Sequence, residues 1–366
     1  MKNVIGNNLT LTIFGESHGS KIGATIDGLC AGIKIDYDFI SYCLKLRRPQ
    51  SKNETLRVEN DNFEIISGVF NGFTTGGALT ILIDNNNVNS KDYESIKDLA
   101  RPSHADYVAN VKYHGFNDYR GGGAFSGRIT AAIVAVGSIL IKALEKFNIK
   151  IGCHIKKIGD VIDADFNDFE NEIDKLNSLS FPVILDIKEK MENVISKVKA
   201  NNDSIGGIVQ TCIINLPIGL GEPMFNSLES ELSSAMFSIG GIKAIEFGLG
   251  FGFASRLGSE VNDQFYSIDN KVLTKTNNNG GINGGISNGM PVIFNVAVRP
   301  TPSISIPQNT INMKTLENEV INISGRHDPA IIRRICIVIK AMTALKIADL
   351  LTYKYGSDVF LKDKLD

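Results

Sequence analysis

The sequence predicts a mixed α/β chain, and three observations carry that prediction. Residues 37–46, 128–147 and 330–355 repeat apolar side chains at three- and four-residue steps, the period of a helix that buries one face. Between them run short β-like stretches, several of which alternate apolar and polar residues. The 366 residues are 43% hydrophobic and 21% charged, which is the composition of a globular protein and excludes a disordered or fibrous one.

In chain order, residues 9–13 (LTLTI) alternate as a strand. Residues 37–46 form the first helix, and 63–69 and 79–83 are further strands. The run 129–141 carries no charge but contains Thr130, Gly137 and Ser138 and stops at Lys142. It falls short of the roughly 20 residues that span a bilayer and reads as a buried helix. Strand 149–158 follows. Residues 163–202, rich in Asp, Glu, Lys and Asn on an apolar period, read as a pair of solvated helices packed outside the core. Strand 208–215, helix 228–237, strand 292–298 and helix 330–355 complete the series, with the asparagine runs at 85–87 and 277–279 as loops. No Pro, Ser or Gly linker divides the chain, so residues 1–366 are expected to form one structural unit.

With 38 basic and 40 acidic side chains the chain has no bulk attraction for nucleic acid or an acidic membrane. Any anion must be held by locally clustered basic residues. Five cysteines, widely spread and without a C-x-x-C pair, disfavour a disulfide framework or a zinc cage, and no histidine spacing indicates a metal. The start of the chain has no apolar leader, so a cytoplasmic location is expected.

Glycines gather in tracts at 121–123, 240–241, 248–252 and 280–285, where backbone amides can approach a ligand or simply turn tightly. No Walker or G-x-G-x-x-G pattern is present. Two histidines, His18 in GESHG and His104 in RPSHAD, each follow a serine beside loop breakers, and such a pair converging on one pocket would suit acid catalysis. Asp328 stands just before the last helix, as a cap or as a base. His114 and His154 read as turn and packed histidines. Arginines collect at the same landmarks, at Arg47, Arg48, Arg57, Arg101, Arg120, Arg128, Arg299, Arg326, Arg333 and Arg334, which points to a pocket for a small polyanion.

FGESHGSKIGATIDG, RPSHADY, DYRGGG followed by SGRIT, NNNGGINGGISNGMP, VAVRPTPSI and SGRHDPA, in that order, resemble the signatures of the chorismate synthase family nearly end to end. The resemblance implies a layered α/β (α+β) sandwich with helices between antiparallel sheets, and a homotetramer. It implies a 1,4-elimination of phosphate from 5-enolpyruvylshikimate 3-phosphate that requires reduced FMN. NADPH enters only indirectly, as the source of flavin reduction by an external reductase. By the same resemblance His18, His104, Asp328, Ser17 and Ser126 are catalytic. Arg47, Arg48, Lys52, Arg101, Arg128 and Arg326 hold substrate anions. Ser126, Gly240, Gly241, Gly284, Arg299, Pro300, Thr301, Pro302, Ser303 and Arg326 line the flavin site.

The chain departs from the family pattern where many members read GGGRSSARET. Here Ala124, Phe125, Ser126 and Gly127 precede Arg128. Cys30 and Lys340 also depart, the latter from a glutamate, and read as packing or surface changes. Two other functions stay open from the residues: a conventional flavin oxidoreductase, and a catalytically silent binder of flavin or phosphoester.

Overall fold

The computed structural model describes residues 2–51, 53–55, 60–86, 91–323 and 328–365. Lys52, Arg57, Arg326 and His327 lie outside these residues. Two five-stranded antiparallel sheets face each other across a layer of helices. The first holds Val4–Ile5 (β1), Thr10–Gly15 (β2), Lys21–Asp27 (β3), Phe63–Ser67 (β4) and Leu79–Asp84 (β5), in the order β1-β2-β3-β5-β4. The second holds Lys150–Ile158 (β6), Val161–Ile162 (β7), Gly207–Ile214 (β8), Ile242–Phe247 (β9) and Val292–Val298 (β10), in the order β7-β6-β8-β10-β9. The α-helices longer than one turn are Tyr37–Arg47 (α1), Asp106–Lys112 (α2), Thr130–Glu145 (α3), Phe169–Ser178 (α4), Lys188–Ala200 (α5), Leu228–Phe237 (α6) and Ile332–Tyr355 (α7).

Alternation sets which strand faces turn inward. In β10 the buried Val292, Phe294, Val296 and Val298 point to the helix layer, and in β3 Ile22, Ala24 and Ile26 do the same. Helix α3 rests on β3 and β5 and on α1, while α7 rests on β6 and β8 and meets α3 along its length. Covered on nearly every side, α3 is apolar almost all round, while α7 buries Arg333, Lys340, Lys346 and Asp349 among its apolar residues. Gly127–Glu145 is long and apolar enough to cross a membrane, and 83% of it is buried inside the protein. The expected solvated helices are α4 and α5. Helix α4 sends Ile173 and Leu176 against Cys212 and Ile214, on the face of the second sheet that looks away from α7.

Local signals explain the helix ends. Asp36 accepts the Phe39 amide at 2.9 Å to start α1, and Ser227 accepts the Ser230 amide at 3.1 Å to start α6. In the long α7 the buried Asp349 takes the amides of Asn7, Asn8 and Leu9 at 3.0, 2.7 and 2.9 Å, which fastens the turn between β1 and β2 to the helix layer. The helices α3 and α7 pack tightly at Gly137, where a Cβ would stand 2.4 Å from the Ala341 Cβ and 2.7 Å from its Cα. Gly137→Ala gains about 1 kcal/mol of helix propensity. Overpacking costs about 1–3 kcal/mol, so the variant is expected to be net destabilised, and Gly137→Val more so, by urea unfolding.

Candidate active site

At the end of β2 the chain enters the loop that carries Ser17 and His18, which are 0% and 8% exposed. Asn85, just past β5, donates to the carbonyls of Glu16 at 3.1 Å and Gly19 at 2.9 Å and accepts from Arg128 Nε at 2.8 Å. One side chain thus ties the His18 loop to the start of α3. The strap Gly121-Gly122-Gly123 lies across this loop with φ of 60°, 86° and 53°, a conformation that glycine adopts without strain. A Cβ at Gly121 would be 2.7 Å from His18 Nε2 and 2.8 Å from Ser17 Oγ, and one at Gly122 would be 3.2 Å from His104 Cε1. Consecutive glycines therefore hold the two imidazoles predicted from the sequence against one strap.

His104 is oriented by a residue that sequence reasoning did not single out. Its Nδ1 lies 2.7 Å from Asp106 Oδ1, and Arg101 grips the same carboxylate with Nε and Nη2, each at 2.7 Å. Arg101 Nη2, which can only donate, also lies 3.1 Å from Nδ1, but the contact to Asp106 at 2.7 Å is shorter and Nη2 already donates to that carboxylate, so the Nδ1 proton is assigned to Asp106 and Nε2 is left facing Gly122. Burial alone would raise the Asp106 carboxyl, but the hydrogen bonds from Arg101 and His104 overcome it and hold the group far below its ordinary value. Tyr93 joins the two halves, with its ring 5.4 Å from that of His18 and 5.9 Å from the Arg101 guanidinium.

Three of the predicted anion-binding arginines converge on a second unforeseen carboxylate. Asp61, with a fully buried side chain, pairs with Arg128 Nη1, with Arg48 Nε at 3.1 Å and with Arg47 Nη2 at 3.6 Å. Burial raises this carboxyl, and the charges of Arg47 and Arg128 with the hydrogen bonds of Arg128 and Arg48 bring it below its ordinary range. Arg47 Nη1 also reaches the Gly127 carbonyl at 3.4 Å, and Arg334 Nε donates to the Arg47 carbonyl at 2.8 Å. Arg333 beside it clasps Glu54 with two nitrogens. The end of α1 and the starts of α3 and α7 are thereby held at one place.

Asp328 meets this junction by pairing with Arg334 Nη1 at 2.8 Å. It does not close the start of α7 as a side-chain cap, and its Oδ1 accepts the Ala330 amide at 3.4 Å instead. Burial raises its carboxyl against the pull of Arg334. The Asp328 carbonyl accepts from Thr301 Oγ1 at 2.7 Å, and the Arg299 amide donates to the Gly241 carbonyl at 2.9 Å. Arg299 Nη1 crosses to the carbonyl of Ser103, next to His104, at 2.7 Å. Gly240, Gly241, residues 299–303, Asp328 and the His104 loop thus form one neighbourhood. Gly284 does not join it. Its hairpin, Ile282–Asn283 with Ile286–Ser287, packs at the start of α6, while Gly240 and Gly241 follow the end of that 10-residue helix, about 15 Å away. Ser126 Oγ accepts the Arg128 amide at 3.2 Å, and the exposed Phe125 ring leans on Tyr113.

Imidazoles set against one glycine strap, with guanidiniums clustered at helix N-termini, mark an acid–base enzyme for an anionic substrate. A sequence model of the chorismate synthase family matches residues 9–352. Chorismate synthase of Pyrococcus abyssi is 43% identical over 95% of this chain and 97% of its own length, and that of Methanocaldococcus jannaschii is 44% identical over 96% of each. A crystal structure of a chorismate synthase superposes with a TM-score of 0.75 at 29% identity, over 96% of this chain and 94% of that one. The chain belongs to the chorismate synthase family, and it is an enzyme, a lyase of the shikimate pathway. The expected α+β sandwich, with helices between antiparallel sheets, is the fold observed.

Asp61 and Asp106 are both depressed from 3.8 in the fold, so the stability they contribute is present above that value and is lost as the pH falls toward their folded values. The urea midpoint is expected to drop below about pH 4, and Asp106→Asn should start lower at neutral pH but decline less steeply. Asp61→Ala leaves buried guanidiniums without their shared partner and should cost about 3 kcal/mol or more by urea unfolding.

Proposed function

We propose that the chain catalyses the 1,4-anti elimination of phosphate from 5-enolpyruvylshikimate 3-phosphate to give chorismate, with reduced FMN required and no net redox change. The observation that carries this reading is the pair of imidazoles on consecutive glycines beside arginines already gathered by buried carboxylates. His18, at the edge of the arginine cluster, gives its proton to the departing phosphate oxygen, with Ser17 beside it. Arg47, Arg48, Arg101 and Arg128 hold the phosphate and carboxylates of the substrate, joined by Lys52 and Arg326. Their internal carboxylates fix the guanidiniums before the substrate arrives, so little reorganisation remains.

The neighbourhood around Arg299 fits a flavin. A Cβ at Gly240 would meet nothing within 4 Å, so the backbone there stands open, and Arg299 is anchored at both its amide and its guanidinium. Gly240, Gly241, Arg299, Pro300, Thr301, Pro302 and Ser303 would hold FMN within this neighbourhood, with Ser126 and Arg326 as the remaining contacts, while Gly284, at the far end of α6, is left out. Held there in its reduced form, FMN would supply transient electron donation with no net redox change. His104, with Nδ1 turned to Asp106, leaves Nε2 to take up a proton and, once protonated, to give it on. Asp328 is the carboxyl suited to take up a proton, because burial raises it above its ordinary value while Asp61 and Asp106 are held below theirs.

The reading extends to one unit over residues 1–366 that works as a homotetramer in the cytoplasm, with no nucleic acid or membrane partner. NADPH acts only through an external flavin reductase. Five buried, free cysteines suit a reducing compartment.

Anaerobic turnover of 5-enolpyruvylshikimate 3-phosphate with pre-reduced FMN should release chorismate and phosphate in equal amounts without consuming reductant. Stoichiometric oxidation would instead mark a conventional oxidoreductase, no product a silent binder, and chorismate from NADPH with oxidised FMN an intrinsic reductase. His18→Ala and His104→Ala should each lower kcat by about 10²–10⁴ with the unfolding midpoint little changed. Near wild-type rates in both would refute the assignment.

A further inference from the structure

Away from the site, a cavity of about 260 Å³ opens between α3, β6, α4 and α7. Ile141, Ile149 and Ile151 give it an apolar wall, and Lys340 lines it with only 7% of its surface exposed. This lysine, which the sequence reading left as a packing or surface change, is therefore a buried cation in the helix layer. Its Nζ donates to Asn177 Oδ1 at 2.6 Å, a neutral partner, and among the described residues no carboxylate forms an ion pair with it.

The acids at the exposed rim are already engaged, Glu145 with Lys142 at 2.8 Å and Asp174 with Lys150 at 2.8 Å. A buried ammonium without a counter-charge is costly. Burial accordingly lowers the Lys340 amine from its ordinary value. Because an ammonium only donates, Asn177 must turn Oδ1 toward it, which leaves Nδ2 as a second donor on a residue that lines the same space. A dry cavity of about 150 Å³ accommodates benzene, so this one has room for an aromatic ring and a carboxylate.

We propose that the cavity is a binding site for a small organic monocarboxylate with an apolar body, the carboxylate received by Lys340 Nζ and Asn177 Nδ2 and the body lying against the three isoleucines. The ligand would bridge α3, α4 and α7 and supply the charge that Lys340 lacks. The site is separate from the elimination chemistry and does not depend on it.

The test is titration of the full chain with 4-fluorobenzoate by fluorine NMR, with 4-fluorobenzyl alcohol as the uncharged counterpart and no substrate present. Wild type should bind the benzoate saturably and the alcohol at least about tenfold more weakly. Lys340→Met, of similar length and without charge, should weaken benzoate binding by about tenfold or more. Asn177→Ala should weaken it in the same direction, and it carries the test should the lysine variant fail to fold. Absence of saturation in wild type, equal binding of the alcohol, or equal binding by Lys340→Met would overturn the proposal. The last outcome also covers a benzoate that settles on the arginines around Asp61 or Asp106. Since no turnover is measured, each of these results leaves the elimination assay standing on its own.

Discussion

The contact between α3 and α7 at Gly137 and Ala341 is the constraint from which the rest of the architecture follows. It lets two apolar helices lie close enough for each sheet to cover one of them. It also brings their N-terminal ends to one place, where Arg47, at the end of α1, touches the turn before α3 while its carbonyl takes Arg334 from α7. Both helix dipoles then turn their positive ends to the same corner, together with the guanidiniums that the turns carry. Packing at the centre of the molecule thus fixes chemistry at its edge.

Carboxylates divide the labour at that edge. Asp61, buried, and Asp106, half-buried, sit among guanidiniums and imidazole that favour their charged forms, so they act as fixed anchors that aim Arg47, Arg48, Arg101, Arg128 and His104. Asp328 is buried with a single arginine, and there burial prevails over attraction. The difference comes from the number of donors each carboxylate receives, since each added donor favours the charged form and burial opposes it.

The long helices and the alternating strands were legible in the sequence because each buries one periodic face, and α6 and β10 match their expected ranges to the residue. Strand β3 was not foreseen: its Gly23 and Ala24 dilute the pattern, and its place depends on pairing with β2 and β5 on either side. The histidines His18 and His104 stood out by their serine and glycine neighbours. Asp106 sits two residues past His104, within a motif that was visible without showing which atom it would touch. Asp61 gave no signal at all, because its three arginines lie 13 or more positions away along the chain and meet it only in the fold. Nothing in the sequence separates Gly284 from the other glycine tracts, whereas the span of α6 does.

The burial of α3 also bears on how the molecule is made. Roughly 190 residues separate the end of α3 from the start of α7, its largest helical cover. At about 5–20 residues per second on the ribosome, this is an interval of roughly 10–40 s. Through that time a helix with the apolar character of a membrane span has left the ribosome with one side uncovered. The first sheet, whose last strand ends at Asp84, is already complete and can shelter the opposite side. The order of synthesis therefore gives the N-terminal sheet a second role, as the holdfast that keeps the nascent core helix from finding a bilayer or another chain.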